Sequence, residues 1–497
     1  MAPEVKGGLA AAGVALVVGA LALNHALVGV FYDDGLYAGL ASALAHGAGY
    51  VHPHLPGTPA AVHYPPLYPT VLAPLFGILS VGAAAMVAKV LNLLLAALAT
   101  GLIAWHAART ELVDPAAPRW LAPALVAAAA IAIPVLATQS VLFAEPLFAV
   151  LLAAAVILAD RGVGGSGSPW LIGTAAALAL LTRSIGVAAG AGIACFLLER
   201  RTPWLRALKT LIPLAAAALL WGLWVVTHER GIDPALGLNY GSYGEILRQT
   251  GLSALGVSAP DLPRPLEVIT LGWIPVRWIY TVAAAASLGV GLYGLALLTR
   301  RSAAGFTLVF YLAILAIWPY PPDRFLWAVL PWLAIAWAVG ALALWRHRWS
   351  RVPVGLLALA LVGGYAYYEI RGLTGGWATK QATAISANFN ELLPVIRDLP
   401  DSSVVAADDE ALVWLYTRRS SVPFYLESYR GRETLRPGPA EQRAYLERMR
   451  VTHVLLASAQ SPSATELRAL IQAYPGWLTG VYRWSDGRWL FAVQRAK

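Results

Sequence analysis

Apolar runs long enough, or nearly long enough, to cross a bilayer fill most of the first 371 residues of this 497-residue chain. Eleven lie near 8–30, 84–107, 120–138, 143–160, 168–182, 185–199, 208–227, 273–299, 303–319, 325–345 and 353–371. Hydrophobic residues make up 58% and charged residues 13%, with a mean hydropathy of +0.63, so a soluble globule of this size is excluded. The expected fold class is a polytopic α-helical membrane protein with about eleven transmembrane helices.

Charge gives the orientation. The net charge of +9 needs no nucleic-acid partner, because the basic residues cluster at helix ends: Arg200, Arg201, Arg206 and Lys209, then Arg300 and Arg301, then Arg346, Arg348 and Arg351. No Lys or Arg lies between Lys6 and Lys89. The positive-inside tendency therefore places 31–66, the first extracytoplasmic loop, outside. The apolar stretch 67–82 is short and broken by Pro69 and Pro74, with Pro65 and Pro66 ahead of it, so a juxtamembrane or re-entrant element is expected there. If 168–199 is two short helices meeting at Arg183, then Arg109, Arg119, Arg161, Arg200 and Arg300 face the cytoplasm. Asp33, Asp34, Glu145, Arg183 and Arg324 then face outward, with a second outer loop at 228–272 and an uncleaved cytoplasmic N-terminus. The protein is expected in a cell's inner, cytoplasmic membrane.

Past Arg371 the composition changes. Residues 372–497 hold 15 Lys+Arg and 12 Asp+Glu, against 21 and 15 in the longer remainder. Helical and strand periodicities alternate through 387–399, 403–408, 410–419, 421–425, 441–450, 452–458 and 464–474, and a hairpin turns at Asp486-Gly487. The predicted organisation is a transmembrane domain over 1–371 and a soluble extracytoplasmic α/β domain over 372–497, with a largely parallel sheet. The lone Cys195 permits no intrachain disulfide. GVGGSGSP at 162–169 reads as an interhelical loop, since it lacks the Lys-Ser/Thr ending of a phosphate loop.

The candidate chemistry begins at Asp33-Asp34, directly after the uncharged run Leu9–Tyr32. Acids at a helix start are ordinary N-caps for the following GLYAGLASALAHG. A carboxylate at the outer membrane surface is also placed to take a proton from an incoming hydroxyl. A sugar on a lipid phosphate presents its anomeric carbon at that depth, and its phosphate leaves with little acid assistance. Arginine suits such a phosphate best, which singles out Arg183 in LLTRSIG and Arg324 in DRFLWAVLP. Snorkelling or a pair with Asp323 would be the plainer roles. Glu145 is the one acid in a long apolar stretch. His46, His52, His54 and His63 near the acid pair make a divalent-metal site conceivable, though their spacing fits no zinc pattern. Asp408, Asp409 and Glu410 are expected to cap a helix and offset its dipole.

Taken in order, Asp33-Asp34 with Tyr37, YPPLYP at 64–69, FAEPLF, LLTRSIG and DRFLWAVLP resemble the GT-C-fold glycosyltransferases that use polyprenyl-phosphate sugars, among them the protein O-mannosyltransferases and lipid A aminoarabinose transferases. The resemblance covers roughly residues 8–345. It implies an inverting enzyme with Asp33 as catalytic base, Asp34 in the second acidic place and no cofactor. The implied partners are a polyprenyl-phosphate sugar donor, membrane lipids, and an envelope glycan, lipid or protein acceptor. Leu36 and Tyr64 stand where aminoarabinose-type members carry Arg and Lys for the lipid phosphate. Phosphate contacts are therefore expected from Arg183 and Arg324, with Tyr37, His63, Tyr64 and Glu145 in the same substrate-binding set. The alternatives are a transporter or flippase of a lipid-linked substrate, and a metal-dependent enzyme resembling oligosaccharyltransferases.

Overall fold

The computed structural model describes all residues except 163–166, 251–257, 319, 431–432 and 495–497. The core of the loop expected at 162–169, and part of that at 228–272, thus lie outside the described residues. By packing the chain divides into two compact units. A helical unit comprises Met1–Leu23, Lys89–Leu223 and Ala254–Thr379, and a mixed unit comprises Asn24–Ala88, Trp224–Ser253 and Lys380–Lys497.

Helices occupy all eleven expected positions. Among the described residues six are long and apolar enough to cross a membrane: Pro3–Leu21, Val81–Arg109, Trp204–Gly231, Arg277–Thr299, Asp323–Trp345 and Arg351–Arg397. Leu121–Ala130 and Ile133–Gln139 make a seventh span if taken together, bent by 61°. Pro134 at the start of the second piece suits such a break, having no N–H to lose. The chain also breaks at Arg183, which is extended between helices Pro169–Thr182 and Val187–Glu199. Leu67–Ile78 has 12 residues, about 18 Å of helix against an apolar bilayer core of about 30 Å, and is too short to cross alone.

Within the helical unit, small residues set the closest approaches. A Cβ on Gly294 would lie 1.8 Å from the Ala336 carbonyl, so helices Arg277–Thr299 and Asp323–Trp345 meet backbone to backbone there. Such contacts maximise dispersion where no water is available to drive apolar association.

The described residues of the mixed unit form seven strands: β1 (Val404–Ala407), β2 (Ser420–Pro423), β3 (Ser428–Arg430), β4 (Glu433–Leu435), β5 (His453–Leu456), β6 (Leu478–Arg483) and β7 (Trp489–Val493). Five form a sheet ordered β2-β1-β5-β7-β6, and β3 pairs with β4. The β1–β2 and β1–β5 pairs are parallel, whereas β5–β7 and β6–β7 are antiparallel. The sheet is therefore mixed rather than largely parallel, because the closing hairpin inserts β7 beside β5. Residues 24–88 and 224–253 group with 380–497, unlike a simple cut at 371. The cause is a shared core: Val30, with Ala26, Leu27 and Phe31 against it, packs among Phe389, Leu392, Val405, Leu412 and Leu455.

Candidate active site

In the mixed unit the chain reaches Asp33 through a tight, strained turn. Tyr32 has φ 60° and ψ −75°, and the Asp33 N–H donates to the Phe31 carbonyl at 2.7 Å. This is a γ-turn of the positive-φ kind, which a residue with a Cβ rarely adopts. A backbone so held costs about 1–3 kcal/mol and persists only where its surroundings over-determine it. Helix Asp33–Ala45 starts immediately after the turn.

Asp34 supplies one constraint. It is 1% exposed, and its carboxylate accepts from the Gly29 N–H at 2.8 Å and the Phe31 N–H at 3.0 Å. Neither acid is the N-cap of the helix, as the plainer sequence expectation had it. Tyr32 occupies that place without a side-chain bond, and Asp34 reaches backward to close the preceding turn. Gly29, at φ 101°, is required here, since a Cβ would lie 2.8 Å from Leu412 Cα. Helix Glu410–Thr417 thus seats its backbone directly on the turn, and the Tyr416 hydroxyl accepts from the Val28 N–H at 3.0 Å.

Asp33 is only half-buried, and its Oδ1 accepts from the Tyr64 hydroxyl at 2.7 Å. Burial, and next the Asp33 charge, push the Tyr64 phenol well above its usual range, so it stays a donor. Tyr37 is buried, with its ring edge-on to Tyr64 and Tyr68, each at 5.0 Å between centroids. His63 Nδ1 donates to the Gly241 carbonyl at 2.8 Å, and its ring lies against Tyr64 and Tyr243. The structure therefore brings Asp33, Asp34, Tyr37, His63 and Tyr64 into one neighbourhood.

Behind the turn lies a cluster that sequence reasoning missed. Tyr240 donates to the Glu410 carboxyl and accepts from His54 Nε2 at 2.9 Å. Its ring is edge-on to His52 at 4.7 Å and to Tyr32 at 6.2 Å. Glu410 is fully buried, so desolvation raises its pKa to about 8. Desolvation lowers His54 to about 3 and holds His52 well below the usual histidine range. At neutral pH this cluster is uncharged. Glu410 was expected to serve its own helix, but its side chain turns to Tyr240 instead. No local pattern in the sequence links positions 240 and 410.

The histidines do not gather round the acids. His46 is exposed with Nδ1 on the Ser42 carbonyl, while His52 and His54 belong to the Tyr240 cluster. Among the described residues, no three His, Cys, Asp or Glu side chains converge as metal ligands.

In the helical unit, Glu145, Arg183 and Arg324 come together. One Glu145 carboxylate oxygen is paired with Arg183 Nη1 and, at 2.8 Å, with Arg324 Nε. Arg324 therefore pairs with Glu145, a partner 179 residues away along the chain. Arg183 lies over the Phe325 ring at 4.4 Å, and Arg324 over Phe143 at 4.5 Å. The three side chains gather at the start of helices Glu145–Gly162 and Asp323–Trp345, where the helix dipoles favour an anion. Asn92 fixes the approach to Glu145 by donating to the Val141 and Phe143 carbonyls at 2.9 and 3.0 Å. Lys89, one turn earlier, is 2% exposed, a buried side chain that the sequence marked only as a topological signal.

No protein-family model and no curated protein matches the sequence. The fold, however, is shared with solved structures. ArnT from Cupriavidus metallidurans bound to undecaprenyl phosphate superposes with a TM-score of 0.55 at 15% identity, covering 97% of this chain and 96% of that one. Its apo state gives 0.52 at 16% identity over the same shares. The apo oligosaccharyltransferase of Archaeoglobus fulgidus gives 0.53 at 13% identity over 99% and 74%. The chain thus has the GT-C fold of these membrane glycosyltransferases, the fold its motifs resemble.

Proposed function

We propose that this protein is an integral membrane glycosyltransferase that moves a sugar from a polyprenyl-phosphate donor to an acceptor hydroxyl on the extracytoplasmic side of an inner membrane. Asp33 is the base. It removes the acceptor proton as that oxygen bonds to the anomeric carbon, and the bond from that carbon to the phosphate oxygen breaks with its electron pair going to the phosphate. Attack opposite the leaving group inverts the centre. Arg183 and Arg324 take the phosphate of the lipid, each presenting a fork that matches two phosphate oxygens. Tyr64 orients Asp33, and Tyr37 and His63 hold Tyr64.

The observation that carries this assignment is the half-buried Asp33 on a strained turn, in a chain with the GT-C fold along almost its whole length. Strain retained beside a single accessible carboxylate is characteristic of a working site. The proposed topology has eleven spans with the N-terminus inside and the C-terminus outside. The acceptor is an envelope glycan, lipid or protein, and no metal takes part.

The test is transfer in nanodiscs from a set of synthetic undecaprenyl-phosphate sugars, with and without a chelator. Chelator-resistant release of undecaprenyl phosphate together with a glycosylated acceptor supports the assignment. Activity that a chelator abolishes and a divalent ion restores would transfer it to the metal-dependent reading. Movement of an intact lipid-linked sugar across the bilayer without cleavage would make the protein a flippase.

A further inference from the structure

We propose that Glu410 is a positioning residue for Asp33: its carboxyl holds Tyr240, and through it Tyr32, so that the strained turn presenting the base is locked from behind. This role rests on the transferase assignment above. Three observations point to it. The turn needs constraint, because Tyr32 at φ 60° is strained, and Asp34 ties its N-terminal side through the Gly29 and Phe31 N–H groups. The Tyr32 side chain meets the Tyr240 ring edge-on, and the Tyr240 hydroxyl is bound on both sides, by Glu410 and by His54. Glu410 is itself fixed. Its backbone carbonyl accepts from the Ser421 hydroxyl at 2.6 Å, and the Ser421 N–H donates to the His54 carbonyl at 2.8 Å.

The route is short and buried. Glu410 and Tyr240 are each 0% exposed, and Glu410 opens the helix whose next residues, Ala411 and Leu412, lie against Gly35 and Gly29. A neutral acid suits this task. An ionised carboxylate would demand solvation that the cluster lacks, whereas a protonated one accepts the phenol bond without a counter-charge. Residues 380–497 are thus part of what shapes the acid-bearing turn, which an appended domain would not be.

The full chain in nanodiscs provides the test, with turnover read on folded protein and amide hydrogen exchange read across 29–36. Glu410→Ala is expected to lower kcat by about a hundredfold, the size of effect that a displacement of about 1 Å produces. The donor KM should stay within about twofold, since no donor contact is removed. Exchange at Gly29, Phe31 and Asp33 should accelerate, while the helix Pro439–Arg448 keeps its protection. Glu410→Gln, which retains an acceptor for Tyr240, should recover most of both readouts. Tyr240→Phe removes only the hydroxyl and should behave as Glu410→Ala does, which keeps the test open if the alanine variant fails to fold. A Glu410→Ala enzyme with kcat within about twofold of the parent, or unchanged exchange at 29–36, overturns the proposal. So does a Gln variant as damaged as Ala. If the unaltered chain transfers no sugar at all, the transferase assignment fails, and the exchange measurement still decides whether Glu410 holds the turn.

Discussion

Glu145 and Glu410 are both buried carboxyls, and the two units treat them in opposite ways. In the helical unit Glu145 faces two guanidiniums, and aromatic rings cover both arginines. In the mixed unit Glu410 faces a phenol, with two neutral histidines nearby, and burial keeps its proton on. The first arrangement sets charge against opposite charge. The second removes charge altogether, which suits a group that holds shape. A buried acid therefore carries no fixed meaning; its partners decide whether it serves binding or geometry.

The largest effect is expected from breaking the charged cluster. Glu145→Leu removes the carboxylate that two guanidiniums share and should cost about 3–5 kcal/mol of stability. Thermal unfolding in detergent reads this, and added undecaprenyl phosphate should restore part of the loss, because the lipid phosphate then supplies the missing negative charge. A Glu145→Leu protein as stable as the parent would mean that the arginines are satisfied without Glu145. Next in size is Asp34→Asn, which keeps one acceptor oxygen for the Gly29 and Phe31 N–H groups but loses the charge. About 1–3 kcal/mol should be lost, with turnover reduced less than by any substitution at Asp33. An Asp34 variant as inactive as Asp33→Asn would make both acids catalytic.

The most specific effect is on pH. An acid whose folded pKa is raised keeps its proton in the folded state where the unfolded chain has lost it. Glu410 rises from 4.5 to about 8, so its contribution is complete below pH 4.5 and declines as pH rises toward 8. Glu410→Gln should flatten that decline in melting temperature between pH 5 and 8. His54 acts with the opposite sign. Its folded value of about 3 lies below the ordinary histidine value of 6.5, so stability falls as pH drops from 6.5 toward 3 in parent and variant alike. An identical alkaline slope in the two proteins would show that Glu410 is ionised when folded.

These contrasts also mark what the sequence can reveal. Apolar runs mark the helices, and the cost of an intramembrane charge singles out Glu145, Arg183 and Arg324. The break at Arg183 was legible because Arg183 interrupts an apolar run too long to be one span beside its neighbours. Alternating patterns gave every strand of the five-stranded sheet. The β3–β4 pair escaped because its strands are three residues each, too short for period-2 alternation to register. The direction of the closing hairpin was hidden as well, because pairing partners leave no trace in the periodicity of either strand. The Glu410–Tyr240–His54 cluster was hidden for the same reason. Its members lie 170 and 186 residues apart along the chain, and each has an ordinary local explanation. Asp34 misled in a subtler way: an acid at a helix start looks like a cap, and only the turn at Tyr32 shows that it bonds backward.

The most direct test of Asp33 as the base is Asp33→Asn in nanodiscs, with turnover of an undecaprenyl-phosphate sugar and binding of undecaprenyl phosphate measured separately. The amide keeps an acceptor for Tyr64 and keeps the size of the side chain, but it cannot take a proton. Turnover should fall by about a factor of 100 to 10,000, the range for a lost general base, with lipid binding and melting temperature close to those of the parent. Turnover near the parent's in a folded Asp33→Asn protein that still binds the lipid would contradict the assignment of Asp33 as the base.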